Sequence, residues 1–280
     1  MFATALQPPD TALPIKVLVA LDGSLFAERA IAPASWLAAA IGAQLELWSA
    51  VHSSADLDDR RRHIKALAEP HGAWWDVVVA DRTIEAIAEA GDGDRHRLVC
   101  LATHGRDRSA GLAHSVSAAV VGASEGPVVL VGPKVLPDVP ARRLIACVDG
   151  STESEVVVPT AIAWAAALHL DVTILTVAEP VPESLRHPGT YPRMHGPHGN
   201  ADAYVGSLAA TWSGPVPVRG EVIYDPVDVD GAIVRSLAGD PAGLVVMGTR
   251  RPHGLRRLVF GSTAAAVAHR SPAPVLVVPI

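Results

Sequence analysis

Cysteine, lysine and aromatic side chains are scarce in this 280-residue chain. The two cysteines, Cys100 and Cys147, each lie inside an apolar run, which favours reduced packing residues over a disulfide framework. Lysine occurs only at Lys16, Lys65 and Lys134, outside any glycine-rich loop, so the phosphate loop that ends in Gly-Lys-Ser or Gly-Lys-Thr is absent. Aromatic residues make up 4% of the chain, so its cores must be built from Ala, Val and Leu.

Other features that would indicate a function are missing as well. No apolar run approaches the roughly 18 residues of a membrane-spanning helix, and residues 1–13 lack the basic start of a signal peptide. We therefore expect a cytoplasmic protein with no membrane partner. The formal net charge of −6 gives no general attraction to nucleic acid, so none is expected as a partner. The motifs of dinucleotide-binding enzymes and of serine hydrolases are also absent, and no catalytic residue is predicted.

What the chain does contain is an alternation of short apolar runs with Ala-rich or amphipathic stretches. Hydrophobic residues make up 49% of it, enough for one large domain or two of ordinary size. β-Branched runs such as residues 15–21 and 45–51 are typical of buried parallel strands, and the stretches between them predict helices. This order predicts an α/β fold with a parallel sheet and right-handed crossovers.

The same order of predicted elements occurs twice. A strand that ends in Asp22-Gly23-Ser24 is matched by one that ends in Asp149-Gly150-Ser151, 127 positions later. We interpret this as a duplication of whole domains. The predicted parts are a disordered lead-in at 1–13, a first domain at 14–132, a proline-rich linker at 133–141 and a second domain at 142–280.

One stretch, residues 244–263, predicts an anion site. An apolar strand that ends at Gly248 is followed by a basic loop and by a helix that starts near Gly261. Free N–H groups and the positive end of the dipole make a helix start attractive to phosphate. In parallel sheets ligands bind beyond the carboxyl ends of the strands, where Asp22, Asp149 and Ala102 are also expected.

The spacing of these residues resembles the universal stress protein family. Gly248 is followed by Arg251, where a second glycine belongs, and then by Gly261-Ser262 after nine residues. Each half also ends in a Pro-Val-Leu-Val type of strand. The resemblance covers 15–131 and 144–279 as a tandem pair. It implies two flavodoxin-like domains, each a five-stranded parallel sheet in the order 3-2-1-4-5 with helices on both faces.

The resemblance also implies a ligand. In the ATP-binding branch of the family, the glycine motif holds the phosphates and the aspartate after the first strand holds the adenosine. ATP, with or without Mg²⁺, is therefore expected mainly in the second half, and no metal site made by the protein is predicted. The implied contacts are Val148, Asp149, Val177, Met247, Gly248, Arg251, Gly261, Ser262 and Thr263.

The first half departs further from the motif. Ala102 replaces its first glycine and Ser115-Val116 replaces the final Gly-Ser, while Gly105 is retained. Asp22, Gly105 and Ser115 are its weaker candidate contacts. For Asp22 and Asp149 the alternative is an ordinary turn and helix-cap role. Arg251 either donates to a phosphate as a planar fork or occupies the space that glycine would leave for it.

Several functions and assemblies stay open at this level. The resemblance implies a stress-response regulator that binds ATP or a related adenine nucleotide. The alternatives are a scaffold that acts through protein contacts and a slow ATPase. The family also implies that strands 128–131 and 275–278 join the halves into an internal pseudo-dimer, with a homodimer as a further alternative. Segment 179–200, which has no equal in the first half, is interpreted as a loop or lid rather than a metal site.

Overall fold

The computed structural model describes residues 13–92, 97–103, 116–124, 126–178, 200–225, 227–249 and 261–280. Strands and helices alternate along these ranges. The strands are β1 (Lys16–Leu21), β2 (Gln44–Val51), β3 (Trp74–Val79), β4 (Arg97–Ala102), β5 (Val128–Val131), β6 (Arg143–Cys147), β7 (Asp171–Ala178), β8 (Val218–Tyr224), β9 (Gly243–Thr249) and β10 (Val275–Pro279). The helices are α1 (Leu25–Glu28), α2 (Ile31–Ile41), α3 (Leu57–Ala68), α4 (Thr83–Asp92), α5 (Val116–Ala123), α6 (Thr152–Glu155), α7 (Val157–Leu168), α8 (Ala201–Trp212), α9 (Val229–Ser236) and α10 (Ser262–Arg270).

All of these strands belong to one sheet in the order β3-β2-β1-β4-β5-β10-β9-β6-β7-β8. Within each half the neighbouring strands are parallel and follow the order 3-2-1-4-5, which confirms the predicted fold. The halves meet where β5 and β10 pair antiparallel, with Val128 opposite Val277 and Leu130 opposite Val275. Each of these two apolar strands therefore covers the open edge of the other. The predicted linker, 133–141, falls between β5 and β6.

Helices cover both faces of the sheet and create two cores. Val17 and Val19 pack into the core that holds α2, α3, α7 and α8, whereas Leu18 and Ala20 pack into the core that holds α4, α5, α9 and α10. Strands buried on both faces have continuous apolar runs instead of an apolar-polar alternation. This is why the central strands could be located from sequence.

Two helices, α8 and α9, were not predicted. Their starts are nevertheless marked by capping side chains. The Asn200 side chain accepts the N–H of Ala203 at 3.1 Å, and the Asp228 side chain accepts the N–H of Gly231 at 2.8 Å. Side chains of this type at a helix start replace the missing backbone partners. Both caps could have indicated the helices.

The cysteines behave as predicted. Both are free, and burial raises the pKa of each thiol to about 12, so neither is a thiolate at neutral pH. Cys100 lies with Sγ 3.8 Å from the carbonyl oxygen of Ala30, inside the core. In the part of the chain that the structure describes, none of the helices has the length and apolar character needed to span a bilayer.

Candidate functional site

The carboxyl edge of the second half brings the predicted residues of three neighbouring strands together. Val148 and Asp149 directly follow β6, Val177 is in β7, and Met247 and Gly248 are near the end of β9. The helix after β6 packs on one face of the sheet and the helix before β9 on the other. Strand order reverses between β6 and β9, and a crevice opens at such a point in parallel sheets.

The Asp-Gly-Ser turns have the same geometry in both halves. In the first turn (22–24) the aspartate Oδ1 accepts the serine N–H at 2.8 Å, and in the second turn (149–151) the equivalent distance is 2.9 Å. The central glycines have φ values of +79° and +83°, a conformation that favours glycine. Each serine then caps the short helix that follows, at 3.2 Å. The turn role of Asp22 and Asp149 is therefore observed, the caps are Ser24 and Ser151, and a ligand contact of either aspartate would be additional.

The second turn is held by additional hydrogen bonds of the Ser154 hydroxyl, a group that the first half does not have at this position. Ser154 Oγ accepts the N–H of Asp149 at 3.1 Å and donates to the carbonyl of Ser151 at 2.8 Å, where the first half has Ala27. The Ser151 hydroxyl also donates to Asp149 Oδ1 at 2.5 Å. Asp149 remains exposed to solvent. These bonds hold an accessible carboxylate in a fixed orientation at the end of β6.

In each half, the helix that follows the second strand contributes one side chain near the carboxyl edge of the sheet, and the two side chains differ. Arg60, the fourth residue of α3, places its guanidinium against Gly23, where a β-carbon would lie only 2.4 Å from Nη1. The same nitrogen donates to Ser49 Oγ at 3.2 Å. In the second half the fourth residue of α8 is Tyr204, which is buried. The guanidinium of Arg60 therefore occupies part of the space beside the first turn, at the carboxyl edge of the first half.

Tyr204 connects α8 to the second turn. Burial raises the pKa of its phenol, and the nearby charge of Glu155 and a hydrogen bond with that carboxylate raise it further. The charge of Asp149 also raises this pKa, whereas a hydrogen bond with Ser154 lowers it. The phenol therefore stays protonated at any physiological pH, and it lies close to the second turn.

The two glycines of the second-half motif have different surroundings. A β-carbon on Gly248 would lie 2.8 Å from Cδ1 of Ile280 and 3.3 Å from Cγ1 of Val157, so a side chain there would have to displace the end of Ile280. A β-carbon on Gly261 would have no atom of the described residues within 4 Å. The space beside the start of α10 is therefore open on the side of Gly261.

The start of α10 has the properties of an anion site. Gly261 is its cap residue, and no side chain from the described part of the chain caps the helix. Ser262 is exposed and Thr263 is half-buried. The first N–H groups of the helix are left without intrahelical partners, and the dipole adds a partial positive charge. An anionic group can bind here through backbone donors alone.

Some predicted residues lie outside the described ranges, namely Arg251, Gly105, Ser115 and the segment 179–199. The contributions of Arg60, Tyr204 and Ser154 were not predicted from sequence. Thr249, a buried residue at the end of β9, was not predicted either. Comparison of equivalent helix positions in the two halves would have singled out Arg60 and Tyr204. Over the ranges that the structure describes, no group of three or more His, Cys, Asp or Glu side chains is placed to hold a metal ion.

A comparison with models of protein families matches residues 140–279 to one described as the universal stress protein family. A search of curated proteins finds no match. Among solved structures, a universal stress protein from Archaeoglobus fulgidus DSM 4304 has 17% identity, a TM-score of 0.61 and coverage of 94% of this chain and 98% of its own. A protein from Pseudomonas aeruginosa UCBPP-PA14 described as a putative universal stress protein has 18% identity, a TM-score of 0.61 and coverage of 96% and 94%.

A further solved structure is described as a universal stress protein in complex with cAMP. It is 28% identical over 43% of this chain and 98% of its own, with a TM-score of 0.38. At that TM-score it bears on neither the fold nor the ligand of this chain. The two longer matches support the fold, since they cover almost the whole chain at low identity.

Proposed function

The chain belongs to the universal stress protein family, and from this premise we propose that its second half binds ATP or a related adenine nucleotide to regulate a stress response. The observation that carries this proposal is the start of α10. It has no side-chain cap from the described residues, it adjoins open space at Gly261, and it lies on the same sheet edge as the ends of β6 and β9. A phosphate can reach these backbone donors without displacing a side chain at Gly261.

In this proposal the phosphates and the adenosine of the ligand bind at opposite ends of the crevice. The phosphates would lie at Gly261, Ser262 and Thr263, and the adenosine would lie at Asp149, Val148 and Val177, with Met247 and Gly248 between them. The exposed carboxylate of Asp149 is an acceptor for a ribose hydroxyl or an adenine amino group. Any Mg²⁺ would be held mainly by the phosphates, because the described carboxylates form no cluster for it.

The first half is the weaker candidate because its edge differs in two ways. The guanidinium of Arg60 lies against Gly23 and bonds to Ser49, so a cation occupies the space beside the first turn. Ala102 stands where the second half has Gly248. Asp22 therefore serves the turn, and we assign the ligand to the second half.

The pairing of β5 with β10 supports an internal pair of domains that acts as one unit. The two edge strands that would have to pair between two single-domain chains are here part of one chain and pair with each other. A homodimer of the whole chain stays an alternative, as does a scaffold that binds protein partners without nucleotide. A cytoplasmic location stays a prediction from the sequence.

Titration calorimetry with ATP is expected to show one site per chain. Because only the folded state would bind, ATP at about 100 times its Kd should add roughly 2.7 kcal/mol to the free energy of unfolding and raise the melting temperature. The same titration with AMP, adenosine, cyclic AMP and GTP ranks the ligands, and phosphate release at saturating ATP tests the slow ATPase. Neither heat nor a melting shift at millimolar ATP would favour the scaffold.

Arg251 is expected to donate to a phosphate rather than to fill its space. Arg251→Gly should then weaken ATP binding about tenfold, because a charge-assisted hydrogen bond contributes roughly 1.5–3 kcal/mol. Adenosine, which has no phosphate, should bind the variant and the parent equally. Arg257→Gly in the same loop is the matched control. Tighter ATP binding by Arg251→Gly would show instead that the side chain occupies the ligand's place.

A further inference from the structure

Thr249, the last residue of β9, has a buried hydroxyl for which the described part of the chain offers no hydrogen-bond partner. The residue is 2% exposed, and Oγ1 makes no hydrogen bond to any described residue. Its backbone is satisfied, since its carbonyl accepts the N–H of Ile280 at 3.0 Å. A buried hydroxyl without a partner destabilises the folded state, because the group loses its hydrogen bonds to water and gains none.

Nearby hydroxyls show that this fold usually satisfies such groups. Thr176 in β7 donates to the carbonyl of Val148 at 2.9 Å, and Ser49 in β2 donates to the carbonyl of Leu21 at 2.6 Å. Ser271, also buried, donates to the carbonyl of Ala273 at 2.7 Å. Thr249 differs from all three. Its unpaired hydroxyl is therefore a feature of this position and not of strand ends in general.

The position of Thr249 explains what could satisfy it. Side chains alternate along a strand, so Thr249 lies on the same face as Met247, which packs in the core with Ala264 of α10. This places the hydroxyl on the face of the sheet that α10 covers, at the end of the strand that precedes this helix in the chain. Uncapped N–H groups and the open space at Gly261 are at the same end of that helix.

We propose that Thr249 Oγ1 donates a hydrogen bond to a phosphoryl oxygen of the ligand held at the start of α10. The inference rests on the proposed function and makes it more specific. The hydroxyl and the helix N–H groups are all donors, and a phosphoryl group offers only acceptors to them. Thr249 is thus a specificity-determining residue, and the second half selects nucleotides over nucleosides.

The test is Thr249→Val, which keeps the shape of the side chain and removes the hydroxyl. We expect the free variant to melt at the same or a higher temperature than the parent, because the unpaired group is gone. We expect its Kd for AMP and ATP to rise about tenfold, and its Kd for adenosine to stay unchanged. Thr249→Ser, which restores a hydroxyl, should recover most of the nucleotide affinity. Thr103→Val, at the equivalent buried position after β4, is the control and should leave the Kd for ATP unchanged.

The outcomes separate this inference from the proposed function. If the parent binds ATP and Thr249→Val binds it equally well, the role of Thr249 is wrong and nucleotide binding stands. An equal loss of affinity for adenosine and AMP would also overturn the inference, since the hydroxyl would then act on the nucleoside or through the fold. If the parent binds no nucleotide at millimolar concentration, the proposed function fails and this inference fails with it.

Discussion

Replacing Gly261 with leucine is expected to weaken ATP binding about a hundredfold or more while leaving the free protein nearly as stable as the parent. The backbone at Gly261 has φ −52°, which any residue adopts, and a β-carbon there would meet no atom of the described ranges within 4 Å. The free protein therefore accommodates the side chain. The leucine would instead fill the space through which a phosphate reaches the first N–H groups of α10, and a hundredfold change corresponds to about 2.8 kcal/mol.

The measurement is a pair of titrations, one calorimetric with ATP and one with denaturant, on the parent and the variant. Gly214→Leu is the matched control, because Gly214 also has open space around it and lies beyond the end of α8. The control should change neither affinity nor stability. Full ATP affinity in Gly261→Leu would move the nucleotide to the first half or to another surface.

Gly248 would be an unsuitable probe of the ligand, although it belongs to the same motif. Its absent side chain leaves room for Ile280 and Val157, so any substitution perturbs packing before it reaches a ligand. The sequence alone gives no reason to distinguish Gly248 from Gly261, because both belong to the same glycine motif. Only the atoms around each β-carbon position distinguish a glycine needed for packing from one beside open space.

The architecture was predictable because each half contains strands buried on both faces. Runs such as β1 and β5 are continuously apolar, and their limits were placed to within one or two residues. The sequence predicts the edge strand β8 only over residues 222–224, because the first residues of the observed strand, Val218 to Glu221, include two charges and a glycine. Edge strands are covered on one side only, so their sequences carry a weaker pattern.

The site was predictable only in part. The turns and the start of α10 are local features with sequence signatures, and both were located. The guanidinium of Arg60 against Gly23 joins residues far apart in sequence, and the unpaired hydroxyl of Thr249 depends on every atom around it. No local pattern encodes either one. Under the proposed function, such contacts distinguish the half that binds the ligand from the half that does not.

Glu46→Ala is expected to be among the most destabilising single changes in the chain, at about 3 kcal/mol. Glu46 is a β2 residue with a side chain that is 4% exposed. Lys16 Nζ lies 3.5 Å from its Oε1, and Arg97 Nη2 lies 3.0 Å from its Oε2. The contact between Arg97 and Glu46 is an ion pair whose geometry does not meet the criteria for a hydrogen bond. Without the carboxylate, two cations that are 30% and 18% exposed would be left close together with no counter-charge.

The second half shows why the carboxylate matters in the first. The strand positions of Glu46 and Arg97 are taken there by Thr173 and Gly243, and Arg143 stands in the position of Lys16. Arg143 Nη2 donates to the carbonyls of Ser236 at 2.9 Å and Asp240 at 3.2 Å. The second half therefore satisfies its single cation with backbone, whereas the first half has two cations and depends on Glu46.

Urea unfolding of Glu46→Ala, Arg97→Ala and the double variant tests this arrangement. If the two side chains interact, the double variant should lose at least about 1 kcal/mol less than the sum of the single losses, because removing Arg97 relieves part of the uncompensated charge. Glu69→Ala, which breaks an exposed pair with Lys65 at 3.8 Å, is the control and should have almost no effect. A loss for Glu46→Ala no larger than that of the control would mean that solvent already screens Lys16 and Arg97, and that the first half does not depend on this carboxylate.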